Sequence, residues 1–231
     1  MRGRRATKDI TDRGEARGLK VVRSEGEGTP HQVILEYVRE NEIDLIVMGT
    51  HGMRSPDRVR LGSTTERVIT LGNVPVMSVR LAGEGDAPDV DELSFEDVVI
   101  PTDGSDFAER AAQRALSLVE SYDATVHAIY VVDTTTYDLK DAPRSIVGLL
   151  KEGGRRATDA IATEARDRGL AVRIDVLRGI PDEEVLSYAD GVNADLIAMG
   201  TRGRAAGTDR LLGSTTARVV RRSDRPVLTV N

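Results

Sequence analysis

Three glycines and a Ser-Thr pair occur twice in this chain at identical intervals. Toward the C-terminal end the pattern reads Gly200-x2-Gly203-x9-Gly213-Ser214-Thr215-Thr216, and toward the N-terminal end Gly49-x2-Gly52-x9-Gly62-Ser63-Thr64. Each copy follows an apolar run, Asp195 to Met199 or Asp44 to Met48, and each precedes a helical pattern. A strand, a glycine-rich loop and a helix N-terminus in that order make a seat for phosphate. Glycine permits positive φ and lets the backbone approach an anion with no Cβ in the way. The free N–H groups and positive dipole end of the helix that begins near Gly213 favour negative charge. The hydroxyls of Ser214 and Thr215 add donors, and Ser214 is also placed to cap its helix. Arg202 or Arg204, inside the loop, is within reach of the outer phosphates as a fork donor. In the first copy His51 stands where the second has Arg202.

The elements that must hold these residues alternate. Asp97–Ile100 is a short apolar strand that ends at Pro101-Thr102-Asp103-Gly104-Ser105. Residues 106–121 carry apolar side chains at helical spacing, with Asp106 and Glu109 as a capping pair. Residues 125–132 form a second strand, 145–168 a helix stopped at Gly169, and 171–177 a third strand. Pro181 opens a helix through Tyr188, 195–199 is the fourth strand, 214–222 the last helix and 226–230 the fifth strand. Strands joined by helices imply right-handed crossovers and a parallel sheet covered on both faces. The expected architecture is an open, doubly wound, five-stranded parallel α/β sheet of Rossmann-like type. Ligands in such sheets bind beyond the carboxyl ends of the strands.

The repeat is longer than the glycines. Sliding the sequence by 151 residues aligns Gly3–Thr7 with Gly154–Thr158, Arg17-Gly18-Leu19 with Arg168-Gly169-Leu170, Pro30 with Pro181, and Pro75-Val76 with Pro226-Val227, without a gap. A period this long indicates duplicated domains. The expected organisation is a half domain over residues 1–80, an acidic linker over 81–94, and a complete domain over 95–231. The first copy begins partway through the plan, inside the second helix, and lacks counterparts of the first two strands and of Asp103.

Composition sets outer limits. The 231 residues include 38 acids and 32 bases, a formal charge of −6, which weighs against nucleic acid as a partner. There is no cysteine, so disulfides, thiolate metal sites and cysteine nucleophiles are excluded. His31, His51 and His127 are too few to favour a multi-histidine metal site, and His127, in an alternating strand, reads as structural. No apolar run is long enough to span a bilayer, and no apolar segment follows the basic start, so a cytoplasmic protein is expected. Arg221 and Arg222, at a helix end, complement the dipole.

Three signals in order resemble the universal stress protein family: Pro101-Thr-Asp-Gly-Ser105 after strand one, Val131-Val-Asp133 after strand two, and the triple-glycine Ser-Thr motif after strand four. The match covers residues 95–231, and for residues 1–80 the C-terminal half of a family domain. The resemblance implies the fold of the adenine nucleotide alpha hydrolases, and the glycine motif implies the ATP-binding branch. It implies a site in which Pro101, Thr102 and Asp103 meet the ribose or adenine side and Val131 meets the adenine with its backbone. Met199, Gly200, Arg202, Gly203, Gly213, Ser214, Thr215 and Thr216 then surround the phosphates, with Mg²⁺ or Mn²⁺ accompanying them. In the family's strand order, 3-2-1-4-5, the strands missing from the first copy lie between its residues 19–25 and 44–48. Weak or no ATP binding is therefore expected at Gly49, Gly52, Gly62, Ser63 and Thr64.

Several functions compete. The leading expectation is a regulatory stress protein that binds or slowly hydrolyses ATP, since no carboxylate pair, nucleophile–base set or metal cluster stands out. A self-phosphorylating ATPase would use Ser214, Thr215 or Thr216. An interaction module would pair through its last strand, as homodimer or intramolecular pseudo-dimer, through 226–230 and 75–79. The Gly-x4-Gly-Lys-Ser/Thr loop, the Ser-Gly-Gly-x-Asp-Ser loop and the His-x-Gly-His signature are all missing. With no Trp, two Phe and five Tyr there is little aromatic surface for a flavin.

Overall fold

In a computed structural model, which describes residues 2–51, 61–80, 95–134, 144–204 and 211–231, the chain builds one seven-stranded sheet. The first copy supplies α1 (Arg2–Ala16), α2 (Pro30–Glu40), β1 (Ile46–Gly49), α3 (Ser63–Leu71) and β2 (Val76–Val79). The second supplies β3 (Asp97–Pro101), α4 (Asp106–Val119), β4 (Thr125–Asp133), α5 (Arg144–Asp167), β5 (Ala171–Gly179), α6 (Pro181–Gly191), β6 (Leu196–Gly200), α7 (Ser214–Arg222) and β7 (Val227–Val230). The strand order is β1-β2-β7-β6-β3-β4-β5. Within it β5-β4-β3-β6-β7 is the expected five-stranded parallel sheet, and β1-β2 extends it at the β7 edge.

Alternation along the strands sends side chains to two cores. Val98 and Ile100 face α4 and α5, while Val99 faces the opposite layer, where Val185, Val219, Val68 and Val38 lie. Helix α4 approaches the sheet closely because its buried face is mostly alanine: Ala108, Ala111, Ala112 and Ala115. Its cap differs from the expected Asp106–Glu109 pair. Ser105 is the N-cap, in extended conformation, and its Oγ accepts from the Ala108 N–H at 3.3 Å. The hydroxyl lies one residue ahead of the first helical residue, where it can reach an orphan N–H.

β7 and β2 pair antiparallel, with Val76 opposite Thr229, Met77 opposite Leu228 and Ser78 opposite Val227. Met77 and Leu228 are related by the 151-residue offset, so the pairing is symmetric about them: the two copies meet across a pseudo-twofold axis. The repeat extends to single hydrogen bonds. The Leu19 N–H donates to Gly14 O at 3.0 Å as Leu170 does to Ala165 at 2.9 Å, and Gly18 and Gly169 hold φ +74 and +78 at the ends of α1 and α5.

The copies differ where the first is incomplete. Residues 19–25, the counterpart of β5, form no strand. A strand needs a neighbour for its N–H and C=O groups, and the described residues hold no counterpart of β4. Leu19 and Val22 stand 62% and 68% exposed there. Val47 in β1 is 61% exposed, whereas its equivalent Ala198 is fully buried under α4. Residues 81–94, expected to form an acidic linker, lie outside the described residues.

Candidate nucleotide site

Strand β3 ends at Pro101 and the chain turns at once into α4. Thr102 N–H makes the last bond toward β4, to Ile129 O at 2.9 Å. The Thr102 Oγ1 accepts from Gly104 N–H at 3.0 Å, and Asp103 Oδ1 accepts from Ser105 N–H at 3.0 Å. Gly104 takes φ +75, which a side chain would strain. Two side-chain-to-backbone bonds and a left-handed glycine thus fix a tight turn that presents the Asp103 carboxylate. β4 runs on past this point, so Val131, two residues beyond Ile129 on the same edge, lies where β3 has already ended.

The neighbouring strand β6 ends at Gly200 beside that turn. A Cβ there would lie 2.8 Å from the Phe107 carbonyl carbon and 2.9 Å from its Cβ and O. Gly200 therefore serves the packing of α4 on β6. Gly203 faces Asp103: a Cβ would lie 2.6 Å from Asp103 Oδ2. The same oxygen accepts from Arg204 N–H at 2.6 Å, which ties the two loops together. Gly213 N–H donates to Thr201 O at 2.8 Å, and a Cβ on Gly213 would stand 3.2 Å from that oxygen. Thr216 Oγ1 donates to Gly200 O at 2.8 Å and pins the first turn of α7 to the end of β6.

The reason for the glycines differs from that expected. Among the described glycines positive φ occurs in Gly18, Gly28, Gly104 and Gly169, and in none of those of the motif. The motif glycines clear space for the Phe107 backbone, the Asp103 carboxylate and the Thr201 carbonyl. Likewise the α7 N-cap is Gly213, φ −57, with no side-chain bond, and Ser214 is the first helical residue. Ser214 is exposed and Thr215 half-buried, and no acid occupies this first turn. The N–H groups of a first turn have no partner within the helix.

The arginines are placed otherwise than the sequence suggested. The Arg202 guanidinium lies over the Phe107 ring, 4.3 Å from its centroid, with Arg110 at 4.6 Å from the same centroid. Arg204 lies against Gly104. Met199 is buried in the β6 strand, and Arg222, still exposed, pairs with Asp182. Asp182, 2% exposed, takes Arg218 at 3.2 Å and Arg222 at 2.9 Å. The structure thus brings Thr102, Asp103, Gly203, Arg204, Gly213 and Thr216 together where β3 and β6 end. The segment 205–210 of this loop is outside the described residues.

The first copy repeats the loop base. Gly62 N–H donates to Thr50 O at 2.9 Å, and Thr65 Oγ1 donates to Gly49 O at 2.9 Å. Ser63 and Thr64 open α3. Here the first turn carries Glu66, where the second copy has Ala217. His51 Nδ1 shares a bond of 2.8 Å with Thr50 Oγ1. Gly52 lies outside the described residues. Among the described residues β1 is the edge strand, and no turn equivalent to Asp103–Ser105 lies beside it.

His127, fully buried in β4, sits in a polar chain whose other members lie far from it in sequence. Its Nε2 is 2.7 Å from Asp97 Oδ1 and its Nδ1 3.1 Å from Tyr188 Oη. Tyr188 donates to Asp175 Oδ2 at 2.7 Å. Burial, and then the bond to the Asp175 carboxylate, push the Tyr188 phenol well above its ordinary value. Among the described residues no cluster of metal-ligating side chains is found, and no helix is long and apolar enough to cross a membrane.

The model of the universal stress protein family matches residues 2–80 and again 94–231. The universal stress protein MJ0531 of Methanocaldococcus jannaschii is 39% identical over 142 residues, which span 60% of this chain and 84% of that protein. The solved structure of MJ0577 superposes with a TM-score of 0.55 at 28% identity, over 60% of this chain and 96% of that one. The crystal structure of a universal stress protein from Archaeoglobus fulgidus matches the whole of this chain and 76% of its own, with a TM-score of 0.71 at 26% identity. With a seven-stranded, mostly parallel α/β sheet and a family match over both copies, the chain belongs to the universal stress protein family.

Proposed function

We propose that the second copy binds ATP in the cleft between the Asp103 turn and the first turn of α7, and that the protein acts as a nucleotide-dependent regulator in stress response. The observation that carries this reading is the glycine at position 203. A single added carbon there would collide with Asp103 Oδ2 at 2.6 Å, so the loop is built to lie directly on the carboxylate. In the proposed complex Asp103 receives the ribose hydroxyls, the Val131 backbone meets the adenine edge, and the N–H groups of Ser214, Thr215 and Thr216 receive phosphate oxygens. The absence of an acid from this turn keeps it electropositive. A divalent cation would accompany the triphosphate, neutralising its charge.

In the first copy the described residues hold the loop base and no nucleoside side. Glu66 in the first turn of α3 adds negative charge where a phosphate would sit. One nucleotide per chain is therefore proposed. Localisation in the cytoplasm and assembly through strand edges remain part of this reading, supported by composition and by the β2–β7 pairing within the chain.

The test is equilibrium binding of a fluorescent ATP analogue to the full chain and to Asp103→Ala. Asp103→Ala is expected to weaken binding at least tenfold; equal affinity would remove the carboxylate from the site.

A further inference from the structure

Polar groups from four elements meet where α6 packs on the sheet. Asp97 begins β3, His127 lies in β4, Asp175 in β5 and Tyr188 in α6. They bond in a single line. Asp97 Oδ1 is 2.7 Å from His127 Nε2, His127 Nδ1 is 3.1 Å from Tyr188 Oη, and Tyr188 Oη is 2.7 Å from Asp175 Oδ2. The imidazole is fully buried, with the tyrosine ring edge-on to it at 5.7 Å between centroids. A ring nitrogen left without a partner there would keep its full desolvation cost.

Three bonds in a line need three protons, and two carboxylates, a phenol and a neutral imidazole supply only two. A carboxylate only accepts, so the Asp97 bond requires a proton on Nε2 and the Asp175 bond uses the phenol proton. The phenol then has none left for Nδ1, and Oη can only accept from it. The Nδ1 bond therefore requires a second proton on the ring, and a neutral imidazole carries one in either tautomer. The surrounding charges favour the positive form. Asp97 and Asp175 stand at the two ends of the line. Asp195, just ahead of β6, accepts from the N–H groups of Glu96 and Asp97 at 2.8 and 3.0 Å and adds negative charge beside Asp97. Arg173, opposite His127 in the β4–β5 register, acts against it, and Val99, opposite it in β3, is uncharged.

We propose that the folded chain holds this third proton on His127, as an imidazolium, and that Asp97–His127–Tyr188–Asp175 is a proton-operated lock joining β3, β4, β5 and α6. Loss of the proton deletes one bond of the three. Either Nδ1 faces the lone pairs of Oη, or the phenol turns to Nδ1 and leaves Asp175. Both outcomes loosen α6, which Tyr188 ties to β5. The same helix carries Asp182, the partner of Arg218 and Arg222 on α7, so the lock supports the helix whose first turn closes the β6 loop. An unfolded imidazole loses its proton above about pH 6.5. Above that pH the folded chain holds one proton more than the unfolded chain until the lock opens. Its folding equilibrium constant then falls with rising pH, by up to about tenfold per pH unit.

Nitrogen-15 NMR of the imidazole rings in the labelled full chain at pH 7.5 tests this. The His127 signals are assigned by elimination with His31→Gln and His51→Gln, which leave the buried ring in place. An ordinary imidazole is about nine-tenths neutral at this pH. Expected for His127 is a proton on both ring nitrogens. In Tyr188→Phe, which keeps the aromatic ring but removes the acceptor for Nδ1, the same ring is expected to be neutral with its proton on Nε2. A bare ring nitrogen on His127 in wild type would overturn the proposal without recourse to any lock variant. An imidazolium that persists unchanged in Tyr188→Phe would overturn it too, since Asp97 alone would then hold the proton.

Discussion

Asn231 and Arg80, related by the 151-residue offset, each reach across the β2–β7 pair to the C-terminal end of the other copy's last helix. Asn231 Nδ2 donates to Ile69 O at 2.8 Å and Gly72 O at 2.6 Å, at the end of α3. Arg80 Nη1 donates to Asp224 Oδ1 at 2.9 Å and to Arg222 O at 3.4 Å, at the end of α7. Last-turn carbonyls have no partner within their own helix, so each copy caps the other. The Asn231 side chain is the more fully engaged, because its Oδ1 also accepts from Thr201 Oγ1 at 2.6 Å.

Two substitutions separate these caps. Asn231→Ala removes three hydrogen bonds from a half-buried group and is expected to cost about 1–3 kcal/mol in urea unfolding. Arg80→Ala removes an exposed pair and is expected to cost under about 1 kcal/mol. Equal costs would mean that the two sides of the pseudo-twofold axis are energetically alike.

The motif glycines should split into a packing and a site class. Gly200→Ala pushes a Cβ into the Phe107 backbone, which cannot yield without moving α4, and should destabilise the fold by about 1–3 kcal/mol. Gly203→Ala meets only the end of the Asp103 side chain. It should leave the unfolding midpoint nearly unchanged while lowering nucleotide affinity at least tenfold. The reverse pattern, a stable Gly200→Ala and an unfolded Gly203→Ala, would contradict the assignment.

Much of this was legible in the chain, and the reasons for the rest are specific. Strand, helix and glycine positions followed from periodicity because β3, β6 and β7 are buried on both faces and read as unbroken apolar runs. The separation of residues 19–25 from 44–48 and 75–79 was legible from the family strand order, and their failure to form a strand was not. Phe107, Asn231 and Arg80 did not declare themselves. Each has a structural contact more than ninety residues away in sequence, and an isolated Phe or Asn carries no local pattern. The cap at Ser105 was readable, but Asp106 and Glu109 offered a competing capping box one residue later.

The Tyr188 phenol predicts an alkaline loss of stability. Its folded value is raised above the unfolded value of about 10, so its contribution is complete below about pH 10 and is lost as pH rises beyond it. Tyr188→Phe should be less stable than wild type at pH 8, since Asp175 and His127 lose a partner. That difference should shrink between pH 9 and 11 as the unfolded wild-type phenol ionises. Urea midpoints at both ends of this window check it; a constant difference would show that the phenol titrates alike in both states.

The central claim is one ATP per chain, held by the second copy. Isothermal titration of ATP with Mg²⁺ into the full chain, beside Gly213→Val, tests it most directly. The account predicts a stoichiometry near one, abolished in the variant, whose added side chain would press on the Thr201 carbonyl. A stoichiometry near two, or binding that survives Gly213→Val, would contradict it.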